Sequence, residues 1–85
     1  MKLLKSEKDI SWYLDEMEHH VREIRKLLER GEETYKRRET CREHAKVEAY
    51  DLIVLTAEAF RMQEIIDVIP EEIIERFNRK RLNDK

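Results

Sequence analysis

Eighty-five residues, 45% of them charged, with one glycine and one proline, make a single small domain and exclude the glycine-rich nucleotide-binding folds. A core this small supplies only a few kcal/mol, so association into a dimer or tetramer is the expectation. The formal net charge of −2 hides a strong asymmetry. Residues 47–75 hold one basic and eight acidic groups, whereas residues 76–85 hold five basic groups and one acidic group. An acidic centre beside a basic tail suits a metal-bound polyanion, and it suits helix dipoles and self-association equally well. One cysteine, Cys41, rules out an internal disulfide and fits a reducing compartment. With no leader-like segment and no apolar run of membrane-spanning length, the expected location is the cytoplasm, away from the membrane.

Ser6 followed by Asp9 reads as a capping box opening a helix over about 7–30, with Gly31 as its stop. Its apolar positions Ile10, Leu14, Met17, Val21, Ile24 and Leu28 are spaced 4, 3, 4, 3, 4, which predicts a seam packed against another helix. Residues 32–46 are almost all polar and are read either as the exposed start of the next helix or as a mobile connection. The second helix is expected from about 33 or 38 to about 66, largely buried, because Val47 to Ile69 is the most apolar stretch of the chain. Pro70 with Glu71 and Glu72 opens a third helix to about residue 82, whose apolar face is Ile73, Ile74, Phe77 and Leu82. The expected class is all-α: a long antiparallel hairpin plus a short helix, completed to a four-helix bundle by oligomerisation.

Within the apolar stretch stand two carboxylates, Glu48 and Asp51, on one helical face and close enough to share a cation. A buried carboxylate is costly unless paired, hydrogen-bonded or metal-bound. Acids at a spacing of three occur five times here, about what chance placement gives, so surroundings and not spacing must select among them. Glu29 with Glu32, Glu64 with Asp67 and Glu72 with Glu75 read as solvated or capping. Asp15 and Glu18 follow seam residues by one position and can face Glu48 and Asp51 across a hairpin. Four carboxylates around one space suit Mg²⁺ or Mn²⁺. The competing reading pairs Glu48 and Asp51 with Arg22 or Arg25 and leaves Asp15 and Glu18 solvated.

The run Lys46-Val47-Glu48-Ala49-Tyr50-Asp51-Leu52-Ile53-Val54-Leu55 resembles the second acidic motif of the MazG-like, all-α nucleoside triphosphate pyrophosphohydrolases, where Glu-x-x-Asp opens an apolar helix. Asp15-Glu16-Met17-Glu18 stands at the place of that family's earlier Glu-x-x-Glu, and Arg79 with Asn83 at its C-terminal basic residue and asparagine, Lys80 adjoining. Asp15 replaces the family's Glu, and Arg79 its Lys. The resemblance implies that Asp15, Glu18, Glu48 and Asp51 bind Mg²⁺, with Glu48 and Asp51 catalytic. It implies too that Arg79 or Lys80 and Asn83 meet the phosphates of a nucleoside triphosphate, cleaved to monophosphate and pyrophosphate.

Cys41 and His44, with His19 and His20 on another helix, are the chain's soft and imidazole ligands for zinc, without the close paired spacing of zinc motifs. The basic clusters Lys36-Arg37-Arg38 and Arg76 to Arg81 have acidic neighbours, which argues against nucleic acid. Trp12 and Tyr13 serve the core, a dimer contact or a stacked base. Two functional classes follow: a metal-dependent nucleotide pyrophosphohydrolase or degenerate relative, and a non-catalytic dimeric hairpin that binds another protein.

Overall fold

The computed structural model describes Leu3 and residues 7–83. Helix α1 spans Ile10–Arg30, and a two-stranded antiparallel hairpin follows, β1 at Thr34–Lys36 and β2 at Glu39–Thr40. Helix α2 spans Cys41–Ala59, a 3-10 segment Gln63–Val68, and helix α3 Glu71–Asn83. The class is mostly helical, as expected, with one short sheet that the sequence reading did not contain.

Asp9 caps α1 by accepting a hydrogen bond from the Trp12 backbone at 2.9 Å; Ser6 lies outside the described residues. Gly31 ends the helix at φ +56°, ψ −109°, a conformation that a side chain would strain. The 32–46 connection resolves into structure. Arg37 at φ +51° turns the chain between the two strands, and the backbone amides of Arg42 and Cys41 donate to the carbonyls of Gly31 and Glu33 at 2.9 and 2.8 Å. Helix α2 then begins at Cys41, not at 33 or 38. Thr40 and Glu43 form a reciprocal capping box there, a start signal visible in the sequence as Thr-x-x-Glu. The hydrogen bonds from Thr40 hold the Glu43 carboxyl below the usual carboxylate range.

Helix α2 also ends early, at Ala59 rather than 66. The amide of Met62 donates to Ala57 O at 2.6 Å and that of Arg61 to Glu58 O at 3.3 Å, while Arg61 sits at φ +55°. That is a Schellman stop with arginine where glycine is usual. An L-residue in this region costs roughly 1 kcal/mol, so Arg61→Gly is expected to raise the unfolding free energy by about that amount, read from the urea midpoint at constant slope.

Two apolar clusters frame the hairpin. Leu27 packs with Cys41 and Ala45, with Ile24 alongside, near the connection. At the other end Val54 and Ala57 of α2 meet Ile66, Ile69, Ile73 and Ile74, covered by Leu3, Val47, Tyr50, Ile65 and Phe77. Since Leu27 lies opposite Cys41 and Ala45, α1 and α2 run antiparallel, and the middle of α1 faces the middle of α2. A second tie holds α3: the Arg81 guanidinium donates bidentately to Glu58 at 2.8 and 2.5 Å and lies over the Phe77 ring at 5.4 Å.

The face of α1 turned to α2 contains only part of the expected seam: Ile24 packs beside Leu27 and Met17 is half-buried. Tyr13 and Leu27 are its buried residues, on a line through half-buried His20. At about 100° per residue, the row Ile10, Leu14, Val21 and Leu28 is rotated roughly 95° from that line. Those four side chains remain 46–50% exposed. On the apolar stretch after residue 47, Ile53, Phe60, Met62 and Val68 are exposed as well, so that stretch is buried only in part. Among the described residues no helix is long and apolar enough to cross a membrane.

Candidate functional site

Between the two apolar clusters lies a polar layer built on Glu48 and Asp51. Asp51 is 5% exposed, the one charged residue buried as a whole among the described residues. Their cationic neighbours are His20 of α1 and Arg76 of α3; Arg22 and Arg25 are exposed. His20 Nε2 stands 3.4 Å from Glu48 Oε2 and 3.6 Å from Asp51 Oδ2. The outer atoms of all three groups are engaged elsewhere. His20 Nδ1 donates to the Glu16 carbonyl at 2.8 Å, Arg76 Nη2 donates to Asp51 Oδ1, and His44 Nε2 meets Glu48 Oε1 at 3.5 Å.

The short β-hairpin explains how His44 is held. Glu39, on β2, accepts from His44 Nδ1 at 2.6 Å, and Tyr35, on β1, stacks on the imidazole with centroids 3.8 Å apart and planes 9° from parallel. The 32–46 connection thus orients one member of the layer. His19 forms an edge contact with His20, centroids 5.8 Å apart, and is itself exposed.

The fold gathers some of the residues singled out in the sequence and not others. Glu48 and Asp51 are together. Asp15 and Glu18 are exposed and stand about 140° and 160° around α1 from His20, so the helix turns them away from these acids. Arg79, Lys80 and Asn83 are exposed on α3, and the α3 cation that reaches the layer is Arg76, one turn earlier. Cys41 is fully buried against Leu27 and Ala45; it does not join the histidines. The position that sequence reasoning assigned no role beside Glu48 and Asp51 is His20. Its sequence signal is faint, a step of seven from Tyr13 and from Leu27 that places all three on one line.

His20 has its pKa raised above the ordinary 6.5. The Asp51 carboxylate is the largest cause, burial opposes it, and the Glu16 carbonyl and the charges of Glu48 and Asp51 add to it. With Nδ1–H committed to a carbonyl, a neutral ring would aim the Nε2 lone pair at two carboxylates. A positive charge on the ring relieves that repulsion, which is the physical sense of the upward shift. The imidazolium contributes stability that is fully present below pH 6.5 and is lost as pH rises through the elevated folded pKa. Chemical unfolding of the metal-free chain between pH 6 and 9 is expected to show stability falling with pH, and His20→Gln to flatten that slope.

Neither a family model, nor a curated protein, nor a solved structure matches this chain. The chemistry of the layer rests on its own atoms: a half-buried imidazole and two carboxylates, with ligand atoms within 4.8 Å of one another.

Proposed function

We propose that the chain is a divalent-metal-dependent nucleotide pyrophosphohydrolase of MazG-like type, or a degenerate relative of one. The observation that supports this most is that Glu48 Oε2 and Asp51 Oδ2 both approach His20 Nε2 of α1, the three ligand atoms lying within 4.8 Å of one another. Glu48 and Asp51 would hold the ion, which would polarise a phosphoryl group and lower the pKa of a bound water. Attack by water at the α-phosphorus would form one P–O bond and break the bridging bond to the β-phosphate, releasing monophosphate and pyrophosphate. Arg76 beside the layer and Arg79, Lys80 and Asn83 farther along α3 supply positive charge and hydrogen bonds to the phosphates.

Incubation with a panel of nucleoside triphosphates and a divalent ion, with pyrophosphate as the readout, tests the reading. Release is expected in the wild type and is expected to vanish in Glu48→Gln. If no triphosphate yields pyrophosphate, or if the substitution leaves release unchanged, the catalytic reading is wrong.

A second reading is a helical hairpin that associates with a copy of itself, and the exposed row Ile10, Leu14, Val21 and Leu28 favours it. Monomeric domains rarely leave so continuous an apolar strip in water, and Leu14, Met17 and Val21 form with Leu52 and Thr56 a groove along α1 and α2. Pairing of two hairpins along this groove gives a four-helix bundle. Sedimentation velocity should show a dimer or tetramer that dissociates in Leu14→Glu/Val21→Glu. A wild-type monomer at high micromolar concentration excludes it.

A further inference from the structure

We propose that His20, Glu48 and Asp51 form a three-ligand site for a zinc-class transition metal ion, with a fourth coordination position open, in place of an all-oxygen Mg²⁺ site. The proposal deepens the hydrolase reading only in placing an ion at Glu48 and Asp51; the ligand chemistry stands by itself.

Distances come first. The Nε2 separations of 3.4 Å from Glu48 and 3.6 Å from Asp51 are longer than hydrogen bonds, which lie at about 2.7–3.2 Å. A tetrahedral ion with bonds of 2.0–2.1 Å sets its ligand atoms roughly 3.3–3.4 Å apart. The two nitrogen–oxygen edges are therefore close to those of a coordination tetrahedron, and all three ligand atoms lie within 4.8 Å of one another.

The outer contacts point the same way. A metal-binding imidazole nearly always donates its other N–H to a carbonyl or carboxylate, and ligating carboxylates are themselves hydrogen-bonded. His20 Nδ1 is held by the Glu16 carbonyl and Asp51 Oδ1 by Arg76, while Glu48 Oε1 has the looser contact with His44 Nε2 at 3.5 Å, His44 being fixed by Glu39 and Tyr35. Two of the three ligands are thus pinned through their outer atom by a hydrogen bond, and Glu48 is approached by an imidazole. Nitrogen in the set decides the ion class: imidazole with carboxylates suits Zn²⁺ and its neighbours, whereas Mg²⁺ takes oxygen and retains its waters. Three protein ligands with one open position are the arrangement of a zinc ion that activates water.

Cobalt(II) serves as the spectroscopic probe. Titration of the metal-free protein near pH 7.5 is expected to give a saturable visible absorption at one equivalent, displaced by one equivalent of Zn²⁺ and unaffected by millimolar Mg²⁺. His20→Gln is expected to weaken Co²⁺ binding at least about tenfold, and His19→Gln, one residue away and exposed, to leave it unchanged. Circular dichroism shows whether the variant is folded. Independently of any variant, Zn²⁺ should shift the Nε2 nitrogen resonance of His20 in the wild-type protein. Failure of Co²⁺ to bind, binding equal in His20→Gln, or an unmoved His20 resonance overturns the proposal. If Mg²⁺-supported pyrophosphate release persists under those outcomes, the hydrolase reading survives without this site. Stoichiometric Co²⁺ binding that depends on His20, with no triphosphate hydrolysed, leaves the metal site standing and removes the hydrolase.

Discussion

Asp51→Ala is expected to lower the unfolding free energy of the metal-free protein by about 3 kcal/mol, a large part of the stability of a domain this small. The carboxylate is buried and faces a cationic group on each side, hydrogen-bonded Arg76 from α3 and His20 at 3.6 Å from α1. Removing one member of a buried pair leaves the other charge without compensation, at a typical cost of 3–5 kcal/mol. The low end applies because the Arg76 side chain keeps 31% of its surface in water and can turn outward, whereas His20 can shed its proton. Asp51→Asn preserves shape and one acceptor, and should cost about half as much. Urea unfolding at pH 7, with the slope unchanged between variants, is the measurement. A loss below about 1 kcal/mol for Asp51→Ala would show that the pair contributes no more than a solvated surface bridge.

The second large effect lies in the apolar cluster beneath α3. Ile74 is 2% exposed and packs with Val54, Ala57, Ile66, Ile69 and Ile73. Truncation to alanine removes buried methylenes and leaves a cavity, for which about 3 kcal/mol is the middle of the observed range. The effect should reach the polar layer, because α3 carries both Ile74 and Arg76. If α3 loosens, Asp51 loses its guanidinium partner. The double variant Ile74→Ala/Asp51→Ala is therefore expected to be less destabilised than the sum of the single variants, by roughly 0.5–1 kcal/mol. Strict additivity would show that α3 stays docked without Ile74.

The elements were legible to different degrees, for identifiable reasons. Helix α1 and its stop at Gly31 follow from capping and from a backbone conformation that glycine tolerates, both local matters. The start of α3 after Pro70 is local too. The second helix is shorter at both ends than its apolar pattern implies. At the front, Thr40 with Glu43 is a start signal lying inside a polar run that reads as helical throughout. At the back, Arg61 takes a left-handed turn that no arginine advertises. The apolar residues beyond it are buried by a 3-10 segment folding back onto Val54 and Ala57, not by helix continuation.

The chain's residue pattern by itself determined a small helical protein, the singular standing of Glu48 and Asp51, and their separation from the solvated acidic pairs. Those depend on composition, on period and on the cost of burying charge, which neighbouring residues along the chain already express. Only the tertiary structure decided what faces the two acids. That outcome depends on the rotation of α1 about its own axis, which brings the Tyr13, His20 and Leu27 line to α2, turns Asp15 and Glu18 away, and leaves the more apolar Ile10 to Leu28 row on the outside. Amphipathicity marks the apolar side of a helix but not which neighbour covers it; here the packing of Leu27 on Cys41 and Ala45 sets the rotation, and with it an imidazole, not a carboxylate, at the centre of the polar layer.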